Sequence, residues 1–168
     1  MKEVATLNGL MVRHLQSIFE AENSWSQAMA IHAKMVFDKE LKKNFEKSGT
    51  IATEHAAVLQ RLLRELGATS LNKRNAVADD LVKELREVQE IAADREVQDA
   101  GMLVTHQCMN HYLIAKYGSV ASYAQLLQKK EVASIVHKMM DDEKKEDRDL
   151  TRLAEKKVNE KARTALIL

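Results

Sequence analysis

The sequence predicts an all-α protein, a bundle of four long helices. Three observations carry that reading. There is no proline in 168 residues, where an average usage near 5% would give roughly eight. The chain has only five glycines, so few positions force a helix to break. Aromatic residues make up 4%, low for a sheet protein, whereas Met, Leu, Ala, Glu and Lys are plentiful. Hydrophobic residues at 45% and charged residues at 30% give the balance of a soluble globular domain. No linker, repeat or low-complexity tract divides the chain, so residues 1–168 are read as one domain with a core over about 7–163.

Apolar periodicity places the elements in order. The first helix is expected from about Leu7 to Phe37, with an inner stripe of Leu15, Ile18, Glu22, Trp25, Met29, His32 and Val36. Asp38 is a natural N-cap for the second, which should end at Leu66 before Gly67. The polar run Thr69–Asn75 is expected to be a loop, followed by a medium helix over AVADDLVKELREVQEIAAD. Asp94 can cap a third long helix from Arg95 to Tyr117, with Gly118 as its stop. Ser119 then opens a short helix through Leu127, and the last long helix starts near Glu131 with the stripe Val132, Val136, Met139, Glu143, Asp147, Leu150 and Leu153. The long connection, about 28 residues with its own helix, falls between helices 2 and 3. That placement gives the crossover topology of ferritin-like bundles.

Charge and motifs exclude several functions. Lys+Arg at 26 against Asp+Glu at 25 leaves no general phosphate-binding face, so no nucleic-acid role is expected. Cys108 is the single cysteine and cannot form an internal disulfide. MKEVATLNGLMVRHL is neither a signal peptide nor a membrane span, and the expected location is cytoplasmic. There is no Gly-rich phosphate loop, no Gly-x-Ser-x-Gly and no His-Glu-x-x-His.

Two carboxylates stand in the wrong place. Glu22 lies inside the first apolar stripe and Glu143 inside the last. A buried carboxylate costs several kcal/mol unless a metal, a cationic partner or a captured proton compensates it. At the stripe's edge each would sit in water; two on separate helices point to an interior polar site. Glu143 and Asp147 are four apart and can reach one point. In HQCMNHY, His106 and His111 are five apart, about 140° around a helix, and cannot share a metal. His55 falls between Ala52 and Leu59 on an inward-leaning face. A Glu22–His55 or Glu143–His111 pair would satisfy a buried carboxylate without metal.

The segments HLQSIFEAENSWSQAM, EVQDAGMLVTHQCMNHYLIAKYGS and DDEKKEDRDLTRLAEKKVNEKA, in order and without gaps over residues 7–163, resemble the YciE/YciF-type branch of the ferritin-like family of bacterial stress proteins. The resemblance implies a four-helix bundle, often dimeric, with a dinuclear metal site. Such a site takes a Glu from each of two helices and a Glu-x-x-His from each of the other two.

Against that pattern the sequence departs. The family's ligand in the first helix falls on Glu22, and Asp142, Glu143 and Asp147 are retained in the fourth. The gap-free match puts the second helix's ligands on Thr50, Ile51 and Thr53, and the third helix's on Asn110 and Leu113. The retained metal-ligand candidates are therefore Glu22, Glu143 and Asp147, with His55, His111 and Asn110 as recruits. Too few anions remain to hold two adjacent divalent cations. The resulting expectation is a stress-associated bundle with a degenerate metal site and no catalytic residues, binding no metal or one weakly held divalent ion. It would act structurally or through partners, as a homodimer. The alternative is an iron or manganese protein, ferroxidase or peroxide-handling, with an altered ligand set. A helical adaptor exposing an apolar strip near Leu126–Leu127 is a third reading.

Overall fold

A computed structural model describes residues 4–68, 70–71 and 73–164. Among the described residues there are six α-helices: α1 (Leu7–His32), α2 (Lys39–Glu65), α3 (Ala76–Ile91), α4 (Arg95–Leu126), α5 (Lys130–Leu153) and α6 (Asn159–Thr164). A π-helical stretch, Ala154–Val158, joins α5 to α6. The four long helices α1, α2, α4 and α5 form the bundle, and α3 lies within the crossover between α2 and α4. Thr69 and Asn72 of the expected loop, and the first three residues of the N-terminal segment, lie outside the described residues.

Caps set the helix ends. Thr6 accepts a hydrogen bond from the Gly9 amide, Asp38 from the Glu40 and Leu41 amides, Asn75 from Ala78, and Asp94 from Glu96 and Val97. Each satisfies amides that the first helical turn leaves without partners. Gly67, at φ +71°, closes α2, with its own amide bonding Arg64 O and that of Ala68 bonding Leu63 O.

Two expected boundaries differ. The first helix stops at His32, and a 3-10 turn, Ala33–Met35, leads to an extended Val36. Here the Asp99 carboxylate accepts from the Phe37 and Asp38 amides, a tertiary capture that ends helical pairing before Phe37. Gly118 does not stop the third helix, and the separate short helix is the last part of α4. Tyr117, Val120, Ala121 and Ala124 continue the buried stripe through the glycine. Their burial outweighs the roughly 1 kcal/mol that a mid-helix glycine costs.

The core runs the length of the bundle. All seven residues of the expected first stripe are buried, Glu22 and His32 within α1 and Val36 just beyond it. At one end Asp38 receives Lys157 at 3.2 Å and Lys161 at 2.7 Å, tying the chain after α5 to the α1–α2 corner. Among the described residues no helix is long and apolar enough to cross a membrane.

Candidate functional site

Glu22, His55 and Glu143 meet in the middle of the bundle. Each comes from a different helix, at the point where its buried stripe carries a polar residue. One donor atom of each lies within 4.8 Å of the others, and all three are buried, so the group could hold a metal ion. His55 Nδ1 stands 3.1 Å from Glu22 Oε1 and 3.5 Å from Glu143 Oε1. Its Nε2 stands 3.4 Å from Asp142 Oδ2, whose side chain is 42% exposed and leads toward solvent. From α4, the Tyr117 hydroxyl donates to Glu22 Oε1 at 2.5 Å. Glu22 Oε2 has no protein partner.

Electrostatics fix the protons. Burial alone would lower the His55 pKa, but hydrogen bonds and negative charge from Glu143 and Glu22 reverse this and raise it to about 10. The ring is an imidazolium at neutral pH. Burial, then the negative charge of Glu22, holds the Glu143 carboxyl well above the usual carboxylate range. A carboxyl so raised keeps its proton at neutral pH. Burial and the same two acids push the Tyr117 phenol upward, so it remains a donor.

A second polar layer lies further along the bundle. Ser48 Oγ is 3.0 Å from His106 Nε2 and accepts from Trp25 Nε1 at 3.3 Å. Glu146 is buried beside it; burial raises its pKa to about 7, with Lys47 and a Ser48 hydrogen bond pulling the other way. Complete burial lowers that of His106 to about 3, so its ring is neutral. One arrangement satisfies Ser48 fully: its oxygen accepts from Trp25 and His106, and its hydroxyl donates to Glu146. Asn110 lies on the same face of α4 as His106 and Tyr117. It is fully buried, and neither end of its amide has a protein partner.

The sequence-based candidates divide. Glu22, Glu143 and His55 come together. Asp147 lies half-buried away from the centre, 3.3 Å from Gln107 Nε2 and 3.3 Å from His111 Nε2, with the His111 side chain 67% exposed. Glu143 therefore pairs with His55, and not with His111. Thr50 and Thr53 are exposed and bond the carbonyls of Glu46 and Gly49 in their own helix. The inward positions of α2 are instead Ser48, Ala52 and His55. Leu113 is core. Sequence reasoning missed Glu146, although Glu143-x-x-Glu146 in α5 has the spacing of a Glu-x-x-His motif. Choosing Asp147 at i+4 over Glu146 at i+3 put the wrong acid inside.

These features define a class: a four-helix bundle with a helix-bearing crossover and a buried carboxylate–histidine centre. Residues 6–163 match the family described as domain of unknown function DUF892, and the chain belongs to it. It is 27% identical over 160 residues to protein YciF of Escherichia coli K12, covering 94% of this chain and 95% of that one. Two solved structures share the fold with a TM-score of 0.85. One is the E. coli stress protein YciF, at 24% identity and covering 92% of this chain and 98% of its own. The other is YcfI, a putative structural protein from Rhodopseudomonas palustris, at 22% identity and covering 89% and 96%.

Proposed function

We propose that the protein is a stress-associated bundle whose interior centre is held together by protons in place of a cation pair, and that it acts structurally or through partners. The observation that carries this reading is the donor set. A dinuclear centre needs a Glu from each of two helices and a Glu-x-x-His from each of the other two. In this bundle those inward places hold Glu22, Asn110, Ala52-x-x-His55 and Glu143-x-x-Glu146. Ala52 offers no donor and Asn110 no charge. Two adjacent divalent cations would repel each other with too little anionic compensation. The His55 imidazolium already supplies positive charge to the Glu22 carboxylate, Glu143 keeps its own proton, and Tyr117 completes the hydrogen bonding. The names of the relatives, a stress protein and a putative structural protein, accord with this reading. A cytoplasmic homodimer is the proposed working form.

The free Glu22 Oε2 and the compact Glu22–His55–Glu143 donors favour a second reading, a single weakly held iron or manganese ion. Such an ion would supply redox chemistry toward oxygen or peroxide. The chain's own part would be to surrender the His55 and Glu143 protons, hold the ion with Glu22, His55 and Glu143, and exclude water by burial.

One experiment separates the readings. The protein is incubated anaerobically with Fe²⁺ or Mn²⁺, freed of loose ions, and its metal counted, alongside the variant Ala52→Glu/Asn110→Glu/Glu146→His. The proton-held centre predicts little metal and an unchanged melting temperature in the natural protein, since a bound ligand raises stability. The variant should gain a site for about two ions per chain. Metal near one per chain with a raised melting temperature favours the single-ion reading; metal near two per chain in the natural protein, with Fe²⁺ oxidation abolished by Glu22→Ala, contradicts both.

A further inference from the structure

Away from the buried centre, α2 and α5 leave a groove of about 680 Å³ between them. Lys43 and Lys47 stand four apart on one wall; Arg152 and Lys156 stand four apart on the other, with Lys157 beside them. The π-helical stretch Ala154–Val158 brings the consecutive Lys156 and Lys157 to the same groove. Such departures from α-helical pairing concentrate at functional positions. Asn44 and Leu153 complete the lining.

Five cations therefore line one concavity, against two acids, Glu40 and Asp149. Both acids are already engaged: Asp149 accepts from Arg152, and Glu40 from Lys157, which also reaches Asp38. Among the described residues Lys43, Lys47 and Lys156 have no carboxylate within ion-pair distance. Lys47 feels the buried Glu146 behind it, but none of the three is held in an ion pair, and together with Arg152 and Lys157 they make the groove a site for an anion.

The chemistry of that anion follows from the exposure of the lysines. Exposed ammonium groups are strongly hydrated and screened by salt, so a monovalent anion gains little from any one of them. Affinity requires several negative charges on one small body, placed to reach both helices at once. Phosphate oxygens make charge-assisted hydrogen bonds with lysine, which serves as a point charge of any approach direction. A groove of this volume lies within the range of about 300–1,000 Å³ typical of small-molecule sites. A polynucleotide would need an extended basic face, and the chain's net charge is only +1.

We propose that this groove binds a small molecule carrying a di- or triphosphate group, held by Lys43 and Lys47 from α2 and by Lys156 from the stretch after α5. The ligand bridges the two helices and quenches the repulsion among the three lysines. Binding weakens as ionic strength rises, because every contact is between exposed charges.

Titration calorimetry of the intact protein with inorganic pyrophosphate tests this. Saturable binding and a rise in melting temperature are expected, with orthophosphate weaker by about tenfold or more because it carries fewer negative charges. Lys43→Ala/Lys47→Ala/Lys156→Ala should weaken pyrophosphate binding by about tenfold or more. The control Lys129→Ala/Lys130→Ala/Lys138→Ala, which removes the same charge elsewhere, should leave it unchanged. All six positions lie on the surface, and helical circular dichroism checks that both variants fold. No saturable binding at about 1 mM pyrophosphate in moderate salt overturns the proposal. So does equal weakening by the control, which would mark general ionic attraction. Tighter binding of a single-stranded RNA oligomer than of pyrophosphate would assign the groove to a polymer and overturn it as well.

Discussion

The layer of Glu22, His55 and Glu143 and the layer of Ser48, His106 and Glu146 share α2 and α5 and are buried to a similar depth, yet they manage polarity in opposite ways. In the first, two acids close on one imidazole, and their charge raises the His55 pKa to about 10. In the second, His106 meets a serine hydroxyl and two aromatic rings, Trp25 at 5.4 Å and Phe45 at 4.8 Å between centroids. Burial there lowers its pKa to about 3. Two histidines in one core thus carry opposite protonation, decided by whether a carboxylate faces the ring. A buried histidine is a cation where acids surround it and a neutral packing group where they do not.

The largest expected effect comes from removing the cation of the first layer. His55→Ala leaves the buried Glu22 carboxylate without its countercharge, beside a Glu143 that keeps its own proton, and should cost about 3–5 kcal/mol, read from urea unfolding near neutral pH. His106→Ala should lose packing and the Ser48 hydrogen bond, flatten the fall of stability as pH drops from 6.5 toward about 3, and leave the alkaline side of the curve unaltered. If the two variants changed that curve alike, the contrast between the layers would be void.

A pH profile sharpens the comparison next. The folded pKa of Glu146 is raised from 4.5 to about 7, so the folded state holds a proton that the unfolded chain releases. Its contribution is complete below pH 4.5 and is lost as pH rises through about 7. Glu143 acts in the same direction. The folded pKa of His55 is raised from 6.5 to about 10. Its contribution is complete below pH 6.5 and disappears as pH rises through about 10. Stability should therefore fall in two overlapping stages, the first from pH 4.5 through about 7 and the second from pH 6.5 through about 10. Glu146→Gln should make the first stage shallower by about 2–3 kcal/mol and leave the second in place. A variant with an unaltered first stage would show that Glu146 titrates normally.

The smallest effect belongs outside the centre. His111→Ala removes an exposed partner of Asp147, and exposed ion pairs contribute about 0.5 kcal/mol or less. A loss comparable to that of His55→Ala would place Asp147 and His111 in the interior site after all.

Much of this contrast was legible before any coordinates. The α1 stripe was readable residue by residue because a 26-residue helix repeats its signal over seven turns, and a misplaced Glu22 stood out against it. His55 was readable for the same reason, between Ala52 and Leu59. The second layer was not. Glu146 and Asp147 are adjacent acids in α5, and periodicity cannot choose between i+3 and i+4 without knowing the helix's rotation. Ser48 gives no sequence signal, since an interior hydroxyl looks like a surface one until Trp25 and His106 reach it. Gly118 has the chemistry of a helix stop, and only packing on both sides carries α4 through it. Thr50 and Thr53 were placed by aligning to a family pattern; in α2 the side facing the centre is instead that of Ser48, Ala52 and His55.

The central claim is that protons hold the Glu22–His55–Glu143 group together. Isotope-labelled histidine NMR of the purified protein, before and after adding Mn²⁺ or Zn²⁺, tests it most directly. The account predicts that both His55 ring nitrogens carry protons at neutral pH, keep them to about pH 10, and are undisturbed by the metal. A neutral His55 ring at neutral pH, or one that loses a proton to bind the added ion, would contradict it.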